Sequence, residues 1–152
     1  MINFINKKII FYFLITLLIF TLDRISKIYV LNIAKTYGEV DIYLNQFINI
    51  ILVWNTGIGF GLLTTSNNLA YNVTSLMIAA VIGFLIYIGL KSETSDKIIF
   101  SVIIGGAIGN FYDRIVFKGV PDFIDLHYGN FHWFTFNAVS YTHLTLPTME
   151  LV

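Results

Sequence analysis

The 152-residue chain has a mean hydropathy of +0.77, with 57% hydrophobic and only 12% charged residues. That length fits one domain, but the composition excludes a water-soluble one and indicates an integral membrane protein. Nine basic and nine acidic residues cancel, so nothing invites a polyanionic partner such as nucleic acid. Without cysteine, a disulfide framework, a thiol nucleophile and Cys-ligated metals are also excluded.

Lys7 and Lys8 precede a charge-free run from Ile9 to Leu22, which at first resembles a secretory signal peptide. No small-x-small cleavage site follows. Asp23, Arg24 and Lys27 come instead, with Asp23 and Lys27 one helical turn apart, before Ile28 to Leu31 resume the apolar run. The spacing predicts a retained first transmembrane helix over about Ile9 to Leu31, long enough to cross ~30 Å of hydrocarbon. For Arg24 and Lys27, snorkelling at a helix end weighs as much as function. Asp23 has too short a side chain to snorkel, which favours function or a specific pairing.

Ile42 to Leu90 carries no formal charge and is divided by the Thr64-Thr65-Ser66-Asn67-Asn68 cluster, a turn signal. Its first part, Ile42 to Leu63, is rich in β-branched and aromatic residues and contains Asn55, Gly57, Gly59 and Gly61. Short strands and a tight bend at the membrane interface suit it better than a helix. Leu69 to Leu90 reads as a plain spanning helix, and after a polar link, Lys91 to Lys97, a third runs from about Ile98 to Phe117.

The third helix holds Gly105, Gly106 and Gly109 and then delivers Asn110, Asp113, Arg114, Asp122 and Asp125 where it should leave hydrocarbon. The glycines suit small-xxx-small helix packing; the carboxylates need another explanation, because charge at a membrane edge is costly. Asn110 and Asp113 share a helical face, with Arg114 beside them. Lys7, Lys8, Lys91 and Lys97 fall on one side, which the positive-inside rule assigns to the cytoplasm. Asp23, the Asn55 loop, Asp113 and Asp122 then meet at the outer face, as expected of a site. The remainder, LHYGNFHWFTFNA and then VSYTHLTLPTMELV, is an aromatic interfacial stretch followed by no long apolar segment. His127, His132 and His143 lack metal-ligand spacing, and no metal site is expected.

Five motifs together resemble the lipoprotein signal peptidases, the signal peptidase II family of bacterial inner membranes. They are D-R-x-x-K at Asp23 to Lys27, W-N-T-G-I-G-F-G at Trp54 to Gly61, G-G-A-I-G-N-F-Y-D-R at Gly105 to Arg114, V-P-D-F at Val120 to Phe123 and F-N-A at Phe136 to Ala138. The resemblance covers roughly residues 9 to 138. It implies an α-helical integral membrane protein with four transmembrane helices, three of them present as written, and a small extracytoplasmic β-cradle after helix 1. It also implies an aspartic endopeptidase without cofactor that cuts diacylglyceryl-modified prolipoproteins at the lipobox cysteine, with membrane lipid as its other partner. Two carboxylates close enough to share a proton suit that chemistry, one as base on water and one as the acid that polarises the scissile carbonyl.

By the same resemblance Asp122 is the first catalytic aspartate. Asn110, Asp113 and Arg114 support the site, Asn137 contacts substrate or dyad, and Asp23, Lys27, Asn55 and Gly57 orient substrate or cradle. The departure is at residue 140. The family's F-N-x-A-D motif supplies the second aspartate, and this chain has Ser140 there. Residues 1–138 are therefore expected to form a signal peptidase II-like membrane domain, and 139–152 an aberrant tail replacing the expected fourth helix, with cleavage impaired. A competing reading, a small transporter or ion-coupling subunit, would also use buried Asp, Arg and Lys. It predicts charges near the bilayer midplane instead of at one edge.

Overall fold

The computed structural model of the chain describes residues 2–57 and 68–139. Three helices, α1 (Ile2–Tyr37), α2 (Asn68–Lys91) and α3 (Thr94–Phe117), are each long and apolar enough to cross a membrane. Four strands, β1 (Asp41–Asn45), β2 (Ile48–Asn55), β3 (Val120–Tyr128) and β4 (Phe131–Phe136), form one antiparallel sheet in the order β1-β2-β3-β4. The fold is a helical membrane protein carrying a small sheet.

At 1.5 Å per residue the 36 residues of α1 reach ~54 Å, well beyond the ~30 Å hydrocarbon layer. The helix thus continues past the Ile9 to Leu31 span expected from hydropathy and carries the sheet on its last turns. Val30, Val40 and Phe123 are buried together there, with Ile33, Ala34, Ile50, Leu52 and Ile124 packed around them. Gly38, at φ 85°, ends α1 by giving its N–H to the Ala34 carbonyl at 2.9 Å, a left-handed cap that suits glycine.

Helix α3 lies against both other helices. A Cβ on Gly105 would come within 2.7 Å of the Thr16 carbonyl oxygen, so α1 and α3 approach with backbone in contact. The Thr16 hydroxyl reinforces this contact by donating to the Ser101 carbonyl at 3.1 Å. At its far end α3 stops at Phe117, where Lys118 adopts φ 57° and gives its N–H to the Arg114 carbonyl. That turn sends the chain directly into β3, placing Asp122 within a few residues of the membrane-spanning helix.

The aromatic stretch after Asp125, expected at the interface, forms the end of β3 and the β3–β4 hairpin, closed at Gly129 (φ 58°) and Asn130. The sheet is therefore built half from the segment after α1 and half from the segment after α3. Its register shifts between Ile50 and Val53 on β2, so that Ile50 pairs with Ile124 but Val53 pairs with Asp122 and Asn55 with Val120. A bulge of this kind re-aims side chains beside it, and here it leaves Asn55 diagonally across from Asp122.

Candidate active site

Two polar clusters sit where α1, α3 and the sheet meet. The first lies between the helices. Lys27, fully buried, donates to Asn110 Oδ1 at 2.7 Å, Asp113 Oδ2 at 2.6 Å and Asp23 Oδ2 at 3.0 Å. Asp23 Oδ1 lies 2.8 Å from the same ammonium as an ion-pair contact, but it receives no well-directed hydrogen bond. Arg24 turns inward as well, its guanidinium forking onto Asp113 at 2.5 and 2.8 Å and reaching Asp23 at 2.7 Å. The ring of Tyr112 lies 4.9 Å from that guanidinium. Two cations and two carboxylates balance, the condition under which charge persists in a low-dielectric layer.

Gly109 makes this cluster possible, because a Cβ there would press into the Asp23 carboxylate, 2.9 Å from its Cγ. The equal weight given to snorkelling for Arg24 and Lys27 is thereby resolved: both point into the protein. The sequence signal was Asp23 itself, which needs counter-charges that its immediate neighbours can provide.

The second cluster surrounds Asp122, which is 4% exposed. Asn55 Nδ2 donates to Asp122 Oδ2 at 2.9 Å, and Asn137 Nδ2 donates to Asp122 Oδ1 at 2.7 Å. Each asparagine is fixed by its own carbonyl oxygen. Asn55 Oδ1 accepts the Gly57 N–H at 3.0 Å and Asn137 Oδ1 accepts the Val139 N–H at 3.1 Å, in each case a side chain closing a local turn. Burial pushes the Asp122 carboxyl above its ordinary pKa, and the two amides, with Lys27 and Arg114 nearby, offset part of that rise.

Arg114 joins the clusters. It is buried, its guanidinium donates to the Gly57 carbonyl, and its charge acts on both Asp113 and Asp122. Tyr71, on α2, donates its hydroxyl to the Arg114 carbonyl at 2.8 Å. A continuous polar path thus runs from Tyr71 through Arg114, Gly57 and Asn55 to Asp122.

Of the residues singled out from sequence, Asn55, Gly57, Arg114 and Asn137 gather on Asp122. Asp23, Lys27, Asn110 and Asp113 form the inter-helix cluster. Ser140 and the rest of the expected tail beyond Val139 lie outside the described residues. Sequence reasoning missed Tyr71, for which there was no signal, and the depth to which Asp125 is embedded. Asp125 is 1% exposed and its Oδ2 lies 2.7 Å from His132 Nδ1 and 3.5 Å from His127 Nδ1, a contact made by the cross-strand pairing of His127 with His132.

Comparison with known proteins gives the family and the fold. The sequence model of signal peptidase (SPase) II matches residues 15–139. A lipoprotein signal peptidase of Pelagibacter ubique (strain HTCC1062) is 46% identical over 124 residues, covering 82% of this chain and 75% of the relative. One of Anaplasma phagocytophilum (strain HZ) is 37% identical over 137 residues, covering 90% and 86%. A solved bacterial membrane enzyme, determined by the in meso method, has the same fold at a TM-score of 0.69 and 23% identity, over 96% of this chain and 85% of its own. The chain is a multi-pass membrane protein that belongs to the signal peptidase II family of peptidases.

Proposed function

We propose that this protein is a membrane aspartic endopeptidase that removes signal peptides from diacylglyceryl-modified prolipoproteins at the lipobox cysteine. The observation that carries this reading is Asp122: a buried carboxylate at the edge of a membrane-spanning helix, held on both oxygens by neutral amides and raised in pKa. Such a group can hold or release a proton at the scissile bond, which general acid–base catalysis requires. Asn55 and Asn137 orient Asp122, Gly57 and Arg114 support Asn55, and the Asp23–Lys27–Asn110–Asp113 cluster fixes the helices on which the site stands. The chemistry calls on no cofactor.

An aspartic dyad needs a second carboxylate, and Ser140 occupies its place in the family pattern. A hydroxyl cannot share a proton as a carboxylate does, so cleavage by this chain is impaired. The site faces the outer side of a bacterial inner membrane, with Lys7 and Lys8 cytoplasmic. Reporter fusions that placed residue 57 in the cytoplasm would reverse this orientation. The ion-coupling alternative finds no support, since the buried cations and carboxylates of the inter-helix cluster are paired with one another.

The test is a gel shift of a diacylglyceryl-modified prolipoprotein incubated with membranes holding this chain, a version carrying Ser140→Asp followed by a fourth apolar helix, and both with Asp122→Asn or Asp125→Asn. The version with aspartate at 140 cleaves faster than the chain itself, Asp122→Asn abolishes cleavage, and Asp125→Asn keeps most of it. Equal losses in the two Asn variants would mean that the wrong carboxylate has been assigned.

A further inference from the structure

The three glycines of α3 face different neighbours. Gly105 meets α1 at Thr16 and Ile19, and Gly109 meets Asp23. Gly106, one residue and therefore ~100° around the helix from Gly105, meets the segment that leaves β4: a Cβ there would lie 2.7 Å from Val139 Cβ and 3.3 Å from each of its methyl carbons. Such a contact is closer than non-bonded carbons approach, and it involves the branch point of a β-branched side chain that has little rotamer freedom to yield. Val139 is 6% exposed and Asn137 fully buried, so both are packed inside the protein.

What Val139 controls is the Asn137 amide. The Val139 N–H occupies Asn137 Oδ1 at 3.1 Å, which sets the direction of the amide and leaves Nδ2 to donate to Asp122 at 2.7 Å. Helix packing alone would have been satisfied by Gly105 and Gly109, which make the approach to α1.

We infer that Gly106 is a positioning residue for Asp122: its missing side chain is the notch that seats the Cβ of residue 139, a valine here where the family's F-N-x-A-D motif has alanine, and a seated residue 139 is what aims the Asn137 amide at the Asp122 carboxylate. The inference rests on the proposed role of Asp122 and deepens it, since it links a buried position of a membrane-spanning helix to the protonation of a group on the sheet.

The test is a titration of Asp122 in the full chain, purified in lipid nanodiscs with aspartate labelled by 13C at its carboxyl, read by infrared difference spectroscopy against Asp122→Asn. Loss of an amide donor favours the protonated carboxyl, so Asn137→Ala moves the Asp122 midpoint to higher pH. Gly106→Ala moves it in the same direction by at least half as much, and the double variant Gly106→Ala/Val139→Gly returns it toward the native midpoint. Gly83→Ala, where a Cβ meets nothing within 4 Å, leaves it in place. A Gly106→Ala midpoint equal to the native one, or a shift that Val139→Gly does not reverse, overturns the inference. If Gly106→Ala fails to fold, Val139→Leu crowds the same contact from the other side, and an unshifted midpoint there is equally fatal. Cleavage is scored separately: normal processing by an otherwise complete Asp122→Asn enzyme would remove the proposed catalytic role while leaving the Gly106 coupling measurable.

Discussion

Replacing Lys27 by Met removes one charge and three donated hydrogen bonds from a fully buried position while keeping most of the apolar stem. The cluster then holds one carboxylate in excess, and Asn110 Oδ1 loses its ammonium donor. Breaking a buried ion pair from one side typically costs ~3–5 kcal/mol, against ~0–1 kcal/mol for an exposed pair. Arg24 still reaches both carboxylates, at 2.7 Å on Asp23 and 2.5 Å on Asp113, which places Lys27→Met near the lower end, about 3 kcal/mol. The sharper quantity is the coupling. Asp113→Asn in the Lys27→Met background restores the charge balance, so the double variant should be more stable than the sum of the two single losses predicts by ~1–3 kcal/mol. The assay is reversible unfolding in mixed micelles with increasing SDS fraction, followed by far-ultraviolet circular dichroism. A Lys27→Met loss below ~1 kcal/mol, the range of exposed pairs, together with simple additivity in the double variant, would refute the view of these four charges as one neutral unit.

Gly109→Ala drives a methyl into the Asp23 carboxylate and should destabilise the same unfolding transition by ~1–3 kcal/mol, as overpacking does. Gly83→Ala, facing open space, should be neutral or stabilising by up to ~1 kcal/mol, because alanine loses less backbone entropy on folding; equal effects at the two positions would remove the steric role given to Gly109. The pH dependence follows from the sign of the Asp122 shift. Burial raises its pKa and the Asn55 amide lowers it by binding the charged form, so Asn55→Ala should move the Asp122 midpoint further up, and any cleavage that needs the ionised carboxylate should fail at a higher pH on acidification. A downward or absent change in the infrared titration would contradict that assignment.

The helices were legible because long apolar runs have few other solutions, although hydropathy alone could not show that α1 continues to Tyr37 to support the sheet. Strand β2 was legible from its β-branched residues. Strands β3 and β4 were not. Val120 to Phe123 are all buried, so β3 lacks the apolar–polar alternation that marks a half-exposed strand, and Phe131 to Phe136 are mostly aromatic, as an interfacial loop can also be. The Gly129-Asn130 pair was the missed hairpin signal. At the site, residue types pointed to Asp122, Asn55 and Asn137, but only the sheet brings positions so far apart in sequence onto one carboxylate. Arg24 was ambiguous for a related reason: whether a long cation snorkels outward or pairs inward depends on what the neighbouring helix presents, and that is Asp113.

The two clusters differ in the kind of partner each carboxylate has, and that difference gives the site its logic. Asp23 and Asp113 are in direct contact with Lys27 and Arg24, which ties both into the ion pairs that join α1 to α3. Asp122 is buried to a similar depth but is bonded to the neutral amides of Asn55 and Asn137, while the cations act on it only from further away. Amide donors fix the direction of its oxygens and favour the charged form less strongly than a contacting cation would, so burial still raises its pKa above the ordinary carboxylate value. Exchanging Asn137 for a cation would hold Asp122 ionised and leave the Val139 N–H without the acceptor it has in Asn137 Oδ1, which is why a pair of asparagines, and not a lysine or arginine, suits the two positions that touch this carboxylate.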